Sequence, residues 1–454
     1  MTSTPGDLRD TSPGRISATL RRAHHKSKLG CKSCKKRRVK CDERLPCANC
    51  LKRGIECSLL TLNPSLPWTQ STVHVFRVDQ NPQVLKCSTI HSIPVPSFFE
   101  ALTQEGLLDV PVMLQPQFKR ILHHLCSVTM ETIAPTQQAL SAYHSALPNL
   151  VIQHPYVLKG FLSMASLHLS CILTDDSERK YHATLATGQL NIGLIQFRTA
   201  LQNITSANGE GLLAFSTAIS TFSLVTSGAD CKNLLKGVKS SNSADHIQRT
   251  IKDLVDIVVR LMHSLRGVLV ILVPLWYQLR DGSLSSLIER DWWPESVPTD
   301  PLAIEEDLKI QSLERMWMKP GRGYEYCFNT LASALKQLRD NFALVSRLTD
   351  KSSGTITDRT AVMVWPIQIS SDFVALLEQR RPEAWVIIAH YAILHHRVTR
   401  NKEAWWLQDL SPSLVATATL ILGEGYTSFM EWPTSELGLN VGSNKRTVKD
   451  CPAG

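Results

Sequence analysis

Long uninterrupted apolar runs are scarce in this 454-residue chain. The most apolar stretch, Leu254 to Tyr277, is broken by Asp256, Arg260, His263 and Arg266, which leaves 11 uncharged residues from Gly267 to Tyr277. A bilayer span needs roughly 20, so a buried core helix and no membrane partner are expected. The polar start, Met1-Thr-Ser-Thr-Pro-Gly6, lacks the apolar run of a secretory leader, and a soluble intracellular protein is expected. Catalytic signatures are also missing: there is no phosphate loop, dinucleotide glycine fingerprint or His-Glu-x-x-His motif. An enzyme is therefore not expected. No period-two alternation is sustained anywhere, which argues against a sheet.

What is present is concentrated at one end. Residues 1–60 hold 15 Lys+Arg against 5 Asp+Glu, a balance of +10, and the other 394 residues hold 34 against 35, a balance of −1. All the excess positive charge therefore lies in the first eighth of the chain, and a polyanion is the natural partner for it. Six of the 12 cysteines fall in the same segment, while Cys87, Cys126, Cys171, Cys231, Cys327 and Cys451 are scattered singly. Clustered thiols in a reducing compartment point to metal rather than disulfides. The tripeptide Asn203-Ile204-Thr205 is then a chance match to a glycosylation signal.

The expected organisation is mostly α: a small metal module, a linker and a large all-helical domain. Residues 1–25 are polar and turn-rich and are expected to be a disordered arm. The module occupies 26–60. Residues 61–113 carry Pro64, Pro67, Pro82, Pro94, Pro96 and Pro111 without an apolar period or heptad run, so they read as linker with no zipper. From 114 to 434 helical stripes recur, beginning with Phe118, Ile121, Leu122 and Leu125 at spacings i, i+3, i+4 and i+7. Further stripes lie within Tyr156–Ile172, Tyr181–Leu201, Leu212–Phe222, Ile251–Leu279, Tyr324–Leu344 and Phe373–His395. Thr174–Ser177 and Ser227–Asp230 are expected to separate them. Residues 435–454 are expected to be a disordered tail.

The cysteines are spaced Cys31-x2-Cys34-x6-Cys41-x5-Cys47-x2-Cys50-x6-Cys57, so Cys-x2-Cys-x6-Cys occurs twice. Two halves related by a local pseudo-twofold bring six sulfurs to one centre. Six thiolates overfill one tetrahedral zinc and are too few for two separate four-cysteine sites. Two zinc ions need eight coordination positions, so two sulfurs must bridge, and symmetry selects equivalent cysteines of the two halves. A disulfide knot and a metal site without a nucleic-acid role are the competing readings. Two Zn²⁺ and six thiolates sum to −2, which Lys32, Lys35, Lys36, Arg37, Arg38 and Lys40 more than offset. Between Cys34 and Cys41, five of six residues are cationic. A metal core this small has no need of such a solvated surface, which favours contact with phosphates and bases.

This spacing resembles the fungal binuclear zinc-cluster family of transcription factors. The motif covers 27 of the 454 residues. The resemblance implies that Cys31 and Cys47 bridge, that Cys34 and Cys41 complete one zinc, and that Cys50 and Cys57 complete the other. It further implies that a helix at the first cysteine pair enters the DNA major groove and reads a CGG-like triplet. Arg38 matches the family's main base-reading position, with Arg37 beside it. Many members carry Lys there, whereas Arg can approach guanine O6 and N7 bidentately. Lys32, Lys35, Lys36, Lys40, Lys52 and Arg53 are expected on phosphates. Arg21, Arg22, Lys26 and Lys28 form a basic arm suited to backbone contact or nuclear import. One departure is that Pro46 directly precedes Cys47, where many members have one more residue.

The helical region resembles, more diffusely, the C-terminal regulatory domain of the yeast sterol-uptake control protein and its fungal relatives. The resembling stretches include His154-Pro-Tyr-Val-Leu158, Leu213-Ala-Phe-Ser216, Trp365-Pro366, Ile388-Ala-His-Tyr391 and Trp405-Trp-Leu407. The resemblance implies a pocket for a hydrophobic, sterol-like ligand, and relatives of this architecture also regulate secondary-metabolite genes. Ordinary core packing explains the same residues. The pocket wall is expected near Leu265–Tyr277 and Trp385–Tyr391. If the chain forms a homodimer, the helical domain should do it, since the linker offers no zipper. The pairs His24-His25, His123-His124 and His395-His396 read as ordinary surface or core histidines, because adjacent residues face different sides of a helix.

Overall fold

Polar side chains supplied by the sequence set where many helices begin. Thr136 accepts a hydrogen bond from the Ala139 amide, Asp175 from Glu178, Asp300 from Leu302 and Ser370 from Phe373. Each satisfies an amide that the first helical turn leaves open. The computed structural model describes residues 32–41, 48–51, 53, 115–239, 243–288, 297–318, 326–399 and 404–439. The expected arm, linker and most of the tail lie outside them. The chain divides into two units, Met1–Leu62 and Asn63–Gly454.

The first unit contains α1 (Lys32–Lys36) and α2 (Ala48–Leu51). The second opens with α3 (Gln115–His124), which passes through a π-turn at Leu125–Thr129 into α4 (Met130–Ile133). It continues with α5 (Gln137–Gln153), α6 (Pro155–Ile172), α7 (Asp176–Leu201), α8 (Gly209–Lys239), α9 (Ala244–Arg266), α10 (Leu269–Arg280) and α11 (Ser285–Ile288). Then follow α12 (Pro301–Gln311), α13 (Phe328–Arg347), α14 (Val364–Gln368), α15 (Ser371–Glu378), α16 (Pro382–Thr399), α17 (Leu410–Leu422) and α18 (Thr427–Glu436). The described residues contain no strand beyond an isolated bridge between Thr349 and Ile356. The mostly α fold expected from the periodicity is what forms.

Several boundaries differ from expectation. Ser227–Asp230 does not separate two helices but lies within α8. A Cβ on Gly228 would stand 2.9 Å from the backbone nitrogen of Leu410, so the glycine admits the start of α17 rather than ending a helix. The stripe across 251–279 is two helices, and the second bends at Leu275 after Pro274. The stripe from Phe373 to His395 breaks before Pro382, where Arg380 adopts a left-handed φ of 57°. Helix α18 runs past Pro433 to Glu436, so Ser435 and Glu436, expected in the tail, are helical.

Phe215 and Trp365 each centre an aromatic cluster in the interior. In one, the Phe215 ring of α8 lies between two glycines, where a Cβ on Gly160 would approach it to 2.7 Å and on Gly193 to 2.6 Å. Tyr156 and Phe197 pack on that ring. In the other, Trp365 packs against Phe373 and Tyr391, and its indole donates to the Ala334 carbonyl at 2.8 Å. Tyr391 gives its hydroxyl proton to the Val362 carbonyl, so His395 Nε2 must be the donor in the 2.7 Å bond to the Tyr391 oxygen. Burial pushes His395 down to about 3. Helix α12 is tied in by adjacent carboxylates: Glu306 pairs with Arg397 of α16, and Asp307 accepts two 2.7 Å bonds from Arg339 of α13.

His124 is one of the core histidines. His124 packs on His168, which stacks on Trp405 with 4.5 Å between ring centres and bonds Thr129. Burial pushes His124 down to about 4 and His168 to about 3, so both rings stay neutral near pH 7.

The expected pocket wall is not one surface. Trp385 to Tyr391 is filled core on α16, which packs on α13, α15, α17 and α18, whereas α10 packs on α8 and α11. Nor is the 254–277 stretch a buried helix throughout, because Val273, Trp276 and Tyr277 of α10 are exposed. By length and composition alone, Gly209–Val238 and Ala244–Arg280 are apolar enough to cross a membrane. In the fold, α8 instead packs along α6, α9 and α17, and a turn at Gly267 interrupts the second stretch.

Candidate metal centre and nucleic-acid interface

The described part of the first unit is built around thiols. Helix α1 carries Cys34 and α2 carries Cys50, both with no exposed surface, and Cys41 is 2% exposed. The two short helices pack on each other. Asn49 fastens them by donating a 2.7 Å bond to the Lys40 carbonyl, so the second half of the cysteine repeat holds the end of the first.

Helix α1 closes in a Schellman motif. The Val39 amide bonds the Cys34 carbonyl at 3.1 Å and the Arg38 amide bonds the Lys35 carbonyl at 3.1 Å, with Arg38 left-handed at φ 55°. Glycine normally takes this position. Here the left-handed turn throws the chain back toward Cys41 within three residues, while Arg38 remains exposed.

The cations divide into two groups. Lys35, Lys36, Arg38, Lys40 and Arg53 are exposed, as a polyanion contact requires. Arg37 is half-buried and turned inward: its Nε donates to the Ser33 carbonyl at 3.1 Å, and one terminal nitrogen lies 4.0 Å from Cys34 Sγ and 3.9 Å from Cys50 Sγ. A guanidinium thus lies beside two of the repeat's sulfurs, a cationic neighbour suited to a thiolate metal centre. Soft, buried thiols flanked by a cation fit a zinc cluster. Zinc supplies folding energy to modules too small for an apolar core. Cys31, Cys47, Cys57 and Lys52 lie outside the described residues, and Lys32 is placed only by its backbone in α1.

Two residues were not assigned these roles from sequence. Asn49 occupies the gap between Cys47 and Cys50, and its repeat equivalent is Ser33, whose carbonyl holds Arg37. The repeat alignment was the available signal. Charge and residue type do not separate Arg37 from Arg38; the left-handed turn does, leaving Arg37 on the sulfurs and Arg38 exposed.

With this geometry in hand, the likeness to known proteins becomes specific. Residues 29–65 match the fungal Zn(2)-Cys(6) binuclear cluster domain, which binds two zinc ions. A Zn(2)-C6 fungal-type transcription factor of Gibberella zeae is 23% identical over 332 residues, covering 69% of this chain and 60% of the relative. The chain thus spans about 60% of the length of the curated relative it matches.

Proposed function

We propose that this protein is a zinc-dependent, sequence-specific regulator of transcription by RNA polymerase II, acting in the nucleus. The carrying observation is the division of cations about α1, with Arg37 on the sulfurs and Arg38 outside. Arg38 reads a guanine of a CGG-like triplet in the major groove. Lys32, Lys35, Lys36, Lys40, Lys52 and Arg53 hold the phosphates. The near-neutral helical domain transmits the signal to promoters of sterol-related or secondary-metabolite genes rather than performing catalysis.

A binding titration on specific and random duplexes tests the assignment. Arg38→Ala should cost about 1–3 kcal/mol of discrimination, and Lys52→Ala should weaken all sequences alike. Equal weakening of both duplexes by Arg38→Ala would remove Arg38 from base reading. The helical domain is further proposed to respond to a hydrophobic ligand, an idea supported by the resemblance to the sterol-uptake regulator. Thermal melting of the full chain with a panel of sterols tests that part, and a transition unmoved by every sterol excludes it.

A further inference from the structure

Helix α7 has an apolar side that is exposed among the described residues. Of its 26 residues, only Ala186, Gln189, Leu190, Gly193 and Phe197 are buried. From Tyr181 to Phe197 there is no Asp, Glu, Lys or Arg, although a solvated helix face ordinarily carries charge. Tyr181, Leu185, Gly188, Ile192, Ile195 and Thr199 follow one another at spacings of four and three, the pattern of a helix-pairing seam. Tyr181 is 40% exposed, Ile192 50% and Ile195 68%. The Tyr181 hydroxyl donates to Gln117 Oε1 at 2.7 Å, which fixes that ring at the end of the seam.

Gly188 stands at the midpoint, seven residues from both Tyr181 and Ile195. A Cβ added there meets nothing within 4 Å, so packing among the described residues does not require a glycine. We infer that α7 pairs antiparallel with α7 of a second copy of this chain, with the twofold axis beside Gly188. A small residue at the crossing lets two backbones approach, and the seam is close to symmetric about it. A C2 contact requires such self-complementarity.

Charge selects the antiparallel direction. Arg198 lies in the last turn of α7, and its Nε is buried with no hydrogen-bond partner among the described residues. The first turn is acidic, with Asp176 and Glu178 after the Asp175 cap. Antiparallel pairing brings each Arg198 toward the acidic turn of the other copy and opposes the helix dipoles. Parallel pairing sets Arg198 against Arg198. The seam is ~27 Å long at 1.5 Å per residue. With a width of about 10 Å it covers on the order of 300 Å² per copy, below the ~800 Å² of a standard stable interface. The dimer is therefore weak and reversible in solution. Under the DNA-binding reading above, two half-sites on one duplex strengthen it by raising the effective concentration.

Sedimentation velocity on the zinc-loaded full chain without DNA tests this pairing separately from DNA recognition. The wild type should dimerise reversibly at roughly 10–100 μM. Ile192→Glu with Ile195→Glu should stay monomeric throughout. Gly188→Leu should weaken the dimer at least about tenfold without lowering the melting temperature, since the monomer has open space there. Arg198→Glu should weaken it too. A wild type that stays monomeric across the range overturns the inference, as does a dimer equally tight in the double glutamate variant.

Discussion

The zinc module and the helical domain solve the same problem with opposite means. In the module, the buried side chains are Cys34, Cys41 and Cys50, with no buried aliphatic residue among the described ones. In the helical domain, one continuous core runs from Phe118 to Met430. A domain of hundreds of residues buries enough apolar surface to stay folded, and a module of a few dozen does not. The metal therefore takes the place of a core. Chelation breaks this comparison most sharply. Structural zinc contributes on the order of 10–16 kcal/mol of apparent binding free energy in small modules. A strong chelator should unfold residues 26–60 and abolish DNA binding, while helical circular dichroism and the main thermal transition stay unchanged. A helical transition that collapses with the metal would show that the two units do not fold independently.

The helical domain sharpens the contrast at its glycines. Gly193→Ala forces the Phe215 ring to move from a 2.6 Å approach and should cost about 1–3 kcal/mol. At the smallest scale the two units share a device. Helix α15 ends as α1 does, with the Arg380 amide on Leu377 and the Arg381 amide on Leu376, both at 2.9 Å. A left-handed non-glycine residue costs roughly 1–2 kcal/mol, partly offset by the greater chain entropy of glycine when unfolded. Arg380→Gly should therefore stabilise the helical domain by about 0.5–1 kcal/mol in a denaturant melt. A loss of stability would mean that the Arg380 side chain holds structure beyond its backbone.

The two-zinc cluster was legible in the sequence because metal chemistry is written in spacing. Two copies of Cys-x2-Cys-x6-Cys admit few alternatives. Helix existence was legible from the apolar period, and α6 follows its stripe almost to the residue. Helix ends were less so, because a glycine in sequence carries two opposite meanings. Gly228 looked like a breaker and is a packing notch, identifiable only once α17 lies across it. The pocket wall misled for a related reason. Aromatic residues among aliphatic ones describe a cavity lining and a filled core equally well, and Trp365 fills the space beside Tyr391. Arg37 and Arg38 are chemically identical neighbours that one backbone angle parts.

That angle also limits what evolution can write at position 38. The residue that ends α1 is the one proposed to read the base, so any change of DNA preference there must pass a steric filter first. β-branched side chains are nearly excluded from left-handed backbone, while glycine and asparagine enter readily. Shifts of target sequence are then confined to flexible side chains such as Lys, Gln or Asn, or displaced onto neighbours outside the turn. The geometry that folds the module thus narrows the vocabulary with which its descendants can acquire new promoters.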